Sequence, residues 1–303
     1  MAKTVSQRIV DALPWLDTVA EKTQPKVQDV VEAGGTPVRN ALDGTPIEIP
    51  LHPALTDVPI GSWTAALVFD GFDAATGSRA MRNAADATLA VGIVGGFAAA
   101  ATGLSDWRYL RGESRRMGVA HGLLNTVGLA LNTASLGFRA TGRRNAGRLA
   151  FLLGYSISGM AAHLGGELSY AHGLRVNRNV FEPDGPDKFT PVLEESELPD
   201  SGMRRVSVYG AEVLLSRADD GRICAISNVC SHFGGPLADG DRQGDTVVCP
   251  WHKSRFDLCS GEVIDGPAVF PQSRYETRVR DGSIEIKADQ ENIQKKVRTM
   301  EEM

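Results

Sequence analysis

The chain has 303 residues, enough for two ordinary domains or for one domain and a membrane module. Its formal net charge of −5, from 32 basic and 37 acidic side chains, gives no reason to expect nucleic acid as a partner. The charge is uneven. Residues 174–303 hold 17 basic and 23 acidic side chains, whereas residues 61–173 hold 10 Arg, 6 acidic residues and no Lys. That division excludes a single soluble domain, a disulfide-rich secreted scaffold and a disordered chain.

In chain order, residues 1–50 read as an amphipathic helical arm and linker. Charges run throughout residues 1–33, which leaves no apolar core for a cleavable signal peptide. Two short helices fit, over residues 5–13 and 14–32. Pro14 suits a helix start, and Pro25 should kink or split the second helix. The arm suits a membrane surface, a partner or plain solvent. Gly34, Gly35 and the Pro-rich stretch to Pro59 read as linker and entry loop.

Residues 51–175 read as a four-span membrane domain. Residues 88–104, 118–138 and 149–166 are runs of 17, 21 and 18 residues without a charge. A membrane helix needs about 20 mostly apolar residues, so all three qualify. A weaker fourth run, residues 60–75, contains Asp70 and Asp73, which must then face protein or the interface. Gly92 with Gly96, and Ala161 with Gly165, are small residues at helical spacing that allow close packing. Four spans return both termini to one side, and His52, His121, His163 and His172 all fall toward that side. His121, Asn125, Gly128 and Asn132 form a polar stripe on the third span. Ser156, Met160, His163, Glu167 and Tyr170 share a face of the fourth. Polar groups are costly in lipid, so both stripes are expected to face inward, toward each other. They serve either as interhelical hydrogen bonds or as a redox or proton site. In the second case His121 and His163 would be haem b ligands or quinone contacts, with Glu167 orienting His163.

Residues 176–200 read as a polar linker, residues 201–288 as an antiparallel all-β domain, and residues 289–303 as a charged tail. Strands are expected over residues 204–209, 211–216, 222–229, 246–249, 275–280 and 283–287. Asp-Asp-Gly at 219–221 and Asp-Gly at 281–282 supply tight hairpin turns. The fold class is therefore multidomain: a four-helix transmembrane bundle plus an antiparallel β domain.

Two motifs in the β half offer metal ligands: Cys230-Ser231-His232 and, sixteen residues after His232, Cys249-Pro250-Trp251-His252. Zinc accepts two Cys and two His, although its usual spacing pairs Cys with Cys and His with His. A [2Fe–2S] cluster with two Cys on one iron and two His on the other is the alternative, each loop then giving one ligand to each iron.

Here the chain resembles the Rieske family, through Cys230-Ser-His-Phe-Gly-Gly-Pro-Leu and Cys249-Pro-Trp-His-Lys-Ser-Arg-Phe-Asp. The resemblance implies that Cys230 and Cys249 hold one iron, and His232 and His252 the other. Pro236 matches the family's proline near the cluster, and Ser254 is the serine of the second box. Lys253 departs from the glycine usual after the second His. Members of the cytochrome-bc type carry an extra Cys in each box, joined in a disulfide; those positions here are Gly235 and Trp251. Phe256 stands where those members have a Tyr that bonds a Cys sulfur. Fewer hydrogen bonds to the sulfurs place the expected potential near the low end of the Rieske range, roughly −150 mV. In this the sequence resembles the ferredoxin type that feeds oxygenases. Cys224 and Cys259 are expected to be buried free thiols. A complete oxygenase would need a second iron site of two His and one carboxylate. No His follows His252, so an electron carrier or a redox sensor is expected instead.

The other half resembles an uncharacterised four-span family, domain of unknown function 2231. The resembling residues are Leu51-His-Pro-Ala-Leu-Thr-Asp-Val-Pro-Ile-Gly-Ser-Trp and His163-Leu-Gly-Gly-Glu-Leu-Ser-Tyr-Ala-His-Gly. The resulting expectation is a multi-pass integral membrane protein in the lipid bilayer, exchanging single electrons with a redox protein or quinone. The rival is a sensor whose cluster state acts on the helix bundle or a partner. The β domain is expected on the cytoplasmic side, because there is neither an export signal nor a disulfide framework.

Overall fold

A computed structural model describes residues 4–289, so the charged tail lies outside the described residues apart from Asp289. The chain divides into two compact units. The helical unit comprises residues up to Leu42 together with Pro50–Leu174, and the β unit comprises Asp43–Ile49 with the chain from Arg175 on.

The helical unit begins with α1 (Val5–Asp11), α2 (Trp15–Ala33) and α3 (Gly35–Asp43). Thr4 and Gln7 cap α1 reciprocally, each side chain taking the other's backbone N–H. The arm lies on the bundle. Val10, Leu16 and Ala20 are buried. Asp11 and Asp17 pair with Arg116, and Asp17 also pairs with Arg115. Those arginines hold the Asp17 carboxyl below the usual aspartate range, the Arg115 hydrogen bond contributing most. Gln24 Nε2 donates to the carbonyls of Trp107 and Leu110, and Gln28 Nε2 to that of Arg108. These two side chains flank Pro25 and tie its stretch of helix down, so α2 runs on through the proline instead of splitting there. The expected linker before Pro59 is likewise helical, since α3 fills its first half and α4 starts at Leu51.

Four long helices follow: α4 (Leu51–Thr76), α5 (Arg79–Trp107), α6 (Gly112–Ala140) and α7 (Arg144–Tyr170). Helices α4 with α5 and α6 with α7 form two closely packed hairpins. Trp63, Ala66, Leu89, Ile93 and Phe151 make their shared apolar core. Two of the four, α5 and α7, are long and apolar enough to cross a membrane by length and composition, rather than the four expected. Helix α4 is diluted by Asp57, Asp70, Asp73 and two prolines, and α6 by arginines and asparagines. The acids of α4 have a structural reason to be there. Asp70 and Asp73 are buried at the end of the bundle where α4 meets α5 and α6 meets α7. Arg139 Nη1 donates to Asp70 at 3.0 Å and to Asp86 at 2.9 Å. Arg144 Nε reaches Asp73 at 2.8 Å, and Arg82 and Arg148 pair with the same carboxylate. The charges offset one another within this cluster, which lowers their desolvation cost.

The β unit holds two antiparallel sheets. Its strands are β1 (Thr190–Glu194), β2 (Met203–Val208), β3 (Ala211–Arg217), β4 (Ile223–Ser227), β5 (Asp241–Gln243), β6 (Thr246–Val248), β7 (Arg255–Asp257), β8 (Val263–Asp265), β9 (Arg274–Arg280) and β10 (Ser283–Ala288). The larger sheet has the order β1-β10-β9-β4-β3-β2, and the smaller one β5-β6-β7-β8. All six strands expected from sequence are present, within one to two residues. The stretch expected as a linker, residues 176–200, is part of this fold: β1 pairs with β10, and short 3-10 turns cover Arg178–Phe181 and Glu195–Glu197. Its polar composition reflects an edge strand and surface turns, which composition alone does not separate from a tether.

Cys224 and Cys259, expected as free thiols, form a disulfide with Cα atoms 4.8 Å apart. Cys224 lies on β4 of the larger sheet, and Cys259 in the turn that leaves β7 of the smaller one. The bridge therefore staples the sheets together across 35 residues of sequence, a pairing that exists only once the sheets are stacked. It also removes one of the two supports for placing this unit in the cytoplasm, because disulfides persist mainly in oxidising compartments.

Candidate metal centre and the histidines of the helical unit

Two loops of the β unit are built alike. The first leaves β4 and carries Cys230 and His232; the second joins β6 to β7 and carries Cys249 and His252. In each, the Cys N–H donates to the carbonyl five residues on, Cys230 to Gly235 at 2.9 Å and Cys249 to Ser254 at 2.8 Å. In each, the N–H four residues on returns to the Cys carbonyl, from Gly234 at 2.8 Å and from Lys253 at 3.1 Å. That fourth position needs a left-handed backbone. Gly234 supplies it at φ +78°, and Lys253 adopts it at φ +65°. The lysine that departs from the family pattern therefore occupies a conformation that favours glycine.

The two loops bring their ligand-type side chains together. Both thiols are buried in one apolar cluster with Leu214, Ile226, Val247 and Phe256. The His232 and His252 rings lie edge to face, with centroids 5.1 Å apart. His232 is buried, while His252 is half-exposed beside the exposed Trp251. A Cβ on Gly235 would lie 2.9 Å from Cys249 Sγ and 3.1 Å from the Trp251 ring. Glycine is thus required for the second loop to close over the first, at the two positions where a bridging cystine would otherwise sit. A hydrogen bond from the Cys230 thiol, helped by the N–H groups of Trp251 and His252, brings Cys249 down to about 7. The same contact and burial push Cys230 well up.

This donor set fits a two-iron cluster. One pair of thiols beside one pair of imidazoles is what two irons with two protein ligands each require, whereas a structural zinc needs four ligands around one point.

The supporting residues include some that sequence did not single out. Ser254 is buried, and its Oγ accepts the Ala268 N–H at 3.0 Å. Pro236 bridges to Val229 at the base of the first loop. Residues of the supposed linker brace that loop: the Arg178 N–H donates to Ser231 O at 3.0 Å, and Asn179 Nδ2 to Val229 O at 3.2 Å. Arg175 is buried and joins Asp43 at 2.9 Å to the carbonyl of Pro267. A run of isolated polar residues offers no periodic signal for such roles.

In the helical unit the expected facing of His121 and His163 is not observed. His121 points inward, its Nδ1 2.8 Å from Ala161 O, and its nearest aromatic partner is His52 on α4. His163, Met160 and Tyr170 lie on the exposed side of α7. The buried side of α7 is instead made of Gly154, Ala161 and Leu168, whose small members let α6 approach: Gly128 and Gly154 meet at backbone distance. Glu167 lies beside Thr4 and Ser6 at the start of α1, so the arm claims it as well as His163.

Residues 188–276 match the Rieske [2Fe-2S] domain family, and residues 48–178 the family described as predicted membrane protein (DUF2231). The chain is 35% identical over 101 residues to the 3-phenylpropionate/cinnamic acid dioxygenase ferredoxin subunit of Photorhabdus laumondii, covering 33% of this chain and 94% of that one. It is 29% identical over 108 residues to apoptosis-inducing factor 3 of Mus musculus, covering 36% of this chain and 18% of that protein, so it spans less than a fifth of that relative's length. The ferredoxin of carbazole 1,9a-dioxygenase from Nocardioides aromaticivorans aligns at 29% identity and a TM-score of 0.32, covering 34% of this chain and 99% of that one. The chain accordingly carries a Rieske [2Fe-2S] domain at its C-terminus and a DUF2231 predicted membrane protein domain in its N-terminal half.

Proposed function

We propose that the protein is a membrane-anchored Rieske electron carrier. Cys230 and Cys249 hold one iron and His232 and His252 the other, and the bound cluster supplies one-electron chemistry. The observation that carries this reading is the paired construction of the two loops, which delivers two buried thiols and two imidazoles to one place. The rest of the domain orients them. Gly235 admits the second loop, Ser254 and Pro236 fix the loop bases, and the apolar cluster around Phe256 excludes water from the thiolates. His252 and Trp251 form the accessible rim through which an electron leaves or enters.

The relatives named above as ferredoxin subunits belong to dioxygenase systems, which supports a redox protein as partner. A quinone is the membrane-soluble alternative. Anchoring is supported by the DUF2231 match, by the apolar length of α5 and α7, and by exposed apolar side chains on all four long helices, among them Phe72, Val94, Val127 and Leu153. Helices α4 and α6 span as the hairpin partners of α5 and α7, with the ion-pair cluster at one membrane face.

The test is an EPR spectrum and an iron count on the full chain, purified anaerobically in detergent. A Rieske-type signal with two irons per chain is expected. One zinc per chain without iron would refute the assignment. Recovery of the chain in the soluble fraction without detergent would refute the anchor.

A further inference from the structure

The helical unit repeats itself. Eleven, fourteen and eighteen residues after His52 on α4 come Trp63, Ala66 and Asp70; at the same offsets after His121 on α6 come Asn132, Ser135 and Arg139. On the return helices, Ala99 and Ala161 each stand seven residues after a glycine, Gly92 and Gly154, and four residues before another, Gly103 and Gly165. The contacts repeat along with the positions. His52 Nδ1 lies 2.8 Å from Ala99 O, and His121 Nδ1 2.8 Å from Ala161 O. Trp63 covers Gly92 as Asn132 covers Gly154, and the His52 ring covers Gly103 as the His121 ring covers Gly165. The hairpins α4–α5 and α6–α7 are thus related by a pseudo-twofold axis.

A residue near such an axis meets its own equivalent, and two pairs do so. Asp70 and Arg139 are complementary in charge and close on each other at one end. His52 and His121 meet nearer the other end, with ring centroids 6.3 Å apart and planes perpendicular. A carbonyl oxygen only accepts, so each Nδ1 bound to one carries a proton, and in the neutral ring Nε2 is then the lone pair. The Asn125 amide agrees, since its Nδ2 sits 3.1 Å from His121 Nε2 as a donor would. An imidazole whose Nδ1–H is anchored on a backbone carbonyl, leaving Nε2 basic and aimed by its anchor, is the arrangement that stands behind metal-bound histidines. The spacing fits two imidazoles on opposite sides of one metal, since bonds of about 2.0–2.1 Å then leave the ring centres roughly 6 Å apart.

We propose that His52 and His121 are the two protein ligands of a transition-metal centre on the pseudo-twofold axis of the helical unit. Imidazole suits iron, copper, nickel and zinc. Among the described residues no third His, Cys, Asp or Glu completes the pair, so the other ligands come from outside the chain. They are the four nitrogens of a haem, whose iron then needs two axial imidazoles, or solvent on a bare ion. A metal displaces the Asn125 amide from His121.

The test uses the full chain in detergent, titrated separately with haemin and with cobalt(II) chloride. Each titration is repeated on His52→Gln and His121→Gln, which keep an amide donor for the carbonyl but offer a poor metal ligand. One equivalent of haemin giving a Soret band with bis-imidazole features identifies the haem form. One equivalent of cobalt giving a ligand-field band identifies the bare ion. Either signal must weaken at least tenfold in affinity in both Gln variants and persist in His163→Ala. Wild-type protein that takes up neither probe overturns the proposal, as does a signal undiminished in a folded Gln variant, for then the histidines only lock helices together. The Rieske EPR signal, recorded on every sample, is independent of this outcome, so failure of the axial site and failure of the electron-carrier reading are told apart.

Discussion

The two units assemble their ligand-type side chains in opposite ways. In the β unit each loop brings its own Cys and His, two or three residues apart in sequence, and the same backbone turn presents both. In the helical unit the paired histidines stand 69 positions apart on different helices, and each is aimed by a carbonyl of a third or fourth helix. A loop motif is thus legible because local hydrogen bonds fix its geometry. A bundle site depends on which faces turn inward, and that is decided by small residues elsewhere. Variants in the two units should differ accordingly: local and all-or-none in the first, global and graded in the second.

The largest effect is expected at the loop ligands. Cys249→Ser and His252→Ala each remove one of the four proposed ligands and should abolish the Rieske EPR signal, while circular dichroism keeps the β signature of the larger sheet. Cys224→Ser, the control cysteine on the same unit, should leave the signal in place. Loss of the signal in Cys224→Ser with retention in Cys249→Ser would reverse the assignment of the two cysteine pairs.

In the helical unit the counterpart is Asp70→Ala. It leaves the buried Arg139 with Asp86 as its carboxylate partner, beside the Ser135 hydroxyl. Removing one member of a buried ion pair costs about 3–5 kcal/mol, and the surviving partner places this case at the lower end. Thermal melting of the detergent-solubilised chain, followed by helical signal, should show the loss. The paired change Asp70→Leu with Arg139→Leu should recover much of it. An unchanged melting point in Asp70→Ala would mean that the cluster is hydrated rather than buried.

The sheet staple comes next. Cys224→Ser or Cys259→Ser should lower the stability of the β unit by about 2–4 kcal/mol, the usual value for a native bridge over a loop of this length. Excess dithiothreitol should reproduce the loss in the native protein and add nothing to either variant. The bridge also bears on topology. A membrane-impermeant thiol reagent added to intact cells after reduction should label Cys224 or Cys259 if the β unit faces an oxidising exterior.

These contrasts bear on what sequence could show. The strands of the larger sheet were legible because β2, β3, β9 and β10 alternate and end on Gly or Asp turns, such as Asp281 and Gly282 with φ of +50° and +82°. The Cys and His of the two loops, proposed as the cluster ligands, stand out by spacing and resemblance. Strands β5, β7 and β8 are not legible, because three residues carry no period and each of these includes a charge, unlike the apolar Val247 and Val248 of β6. The Cys224–Cys259 bridge joins elements of two sheets, and neither strand pattern predicts the stacking. The pairing of His52 with His121 has no sequence signal, because His52 lies in the first turn of α4, ahead of the apolar run that marks the span. His163 misled because its i,i+4 neighbour Glu167 made a plausible polar face, yet the glycines on the other side of α7 set the packing.

The smallest effect sharpens the comparison within the β unit itself, where the two loops differ at one corresponding position, Gly234 against Lys253. A left-handed conformation costs a residue with a Cβ about 1–2 kcal/mol, and glycine returns part of that gain through its greater freedom in the unfolded chain. Lys253→Gly should therefore stabilise the unit by about 0.5–1 kcal/mol, read as a higher thermal midpoint of the cluster-loaded protein. The substitution also removes a cation near Cys249. The reduced cluster carries one more negative charge than the oxidised one, so losing that cation should lower the midpoint potential slightly, by an amount that shrinks with added salt because Lys253 is exposed. Lys253→Met separates the two contributions: it keeps the Cβ and the strained backbone but lacks the charge. Both variants should shift the potential downward alike, and only the glycine variant should melt later. If Lys253→Met were stabilised as much as Lys253→Gly, charge rather than backbone conformation would be what sets this loop apart from its twin.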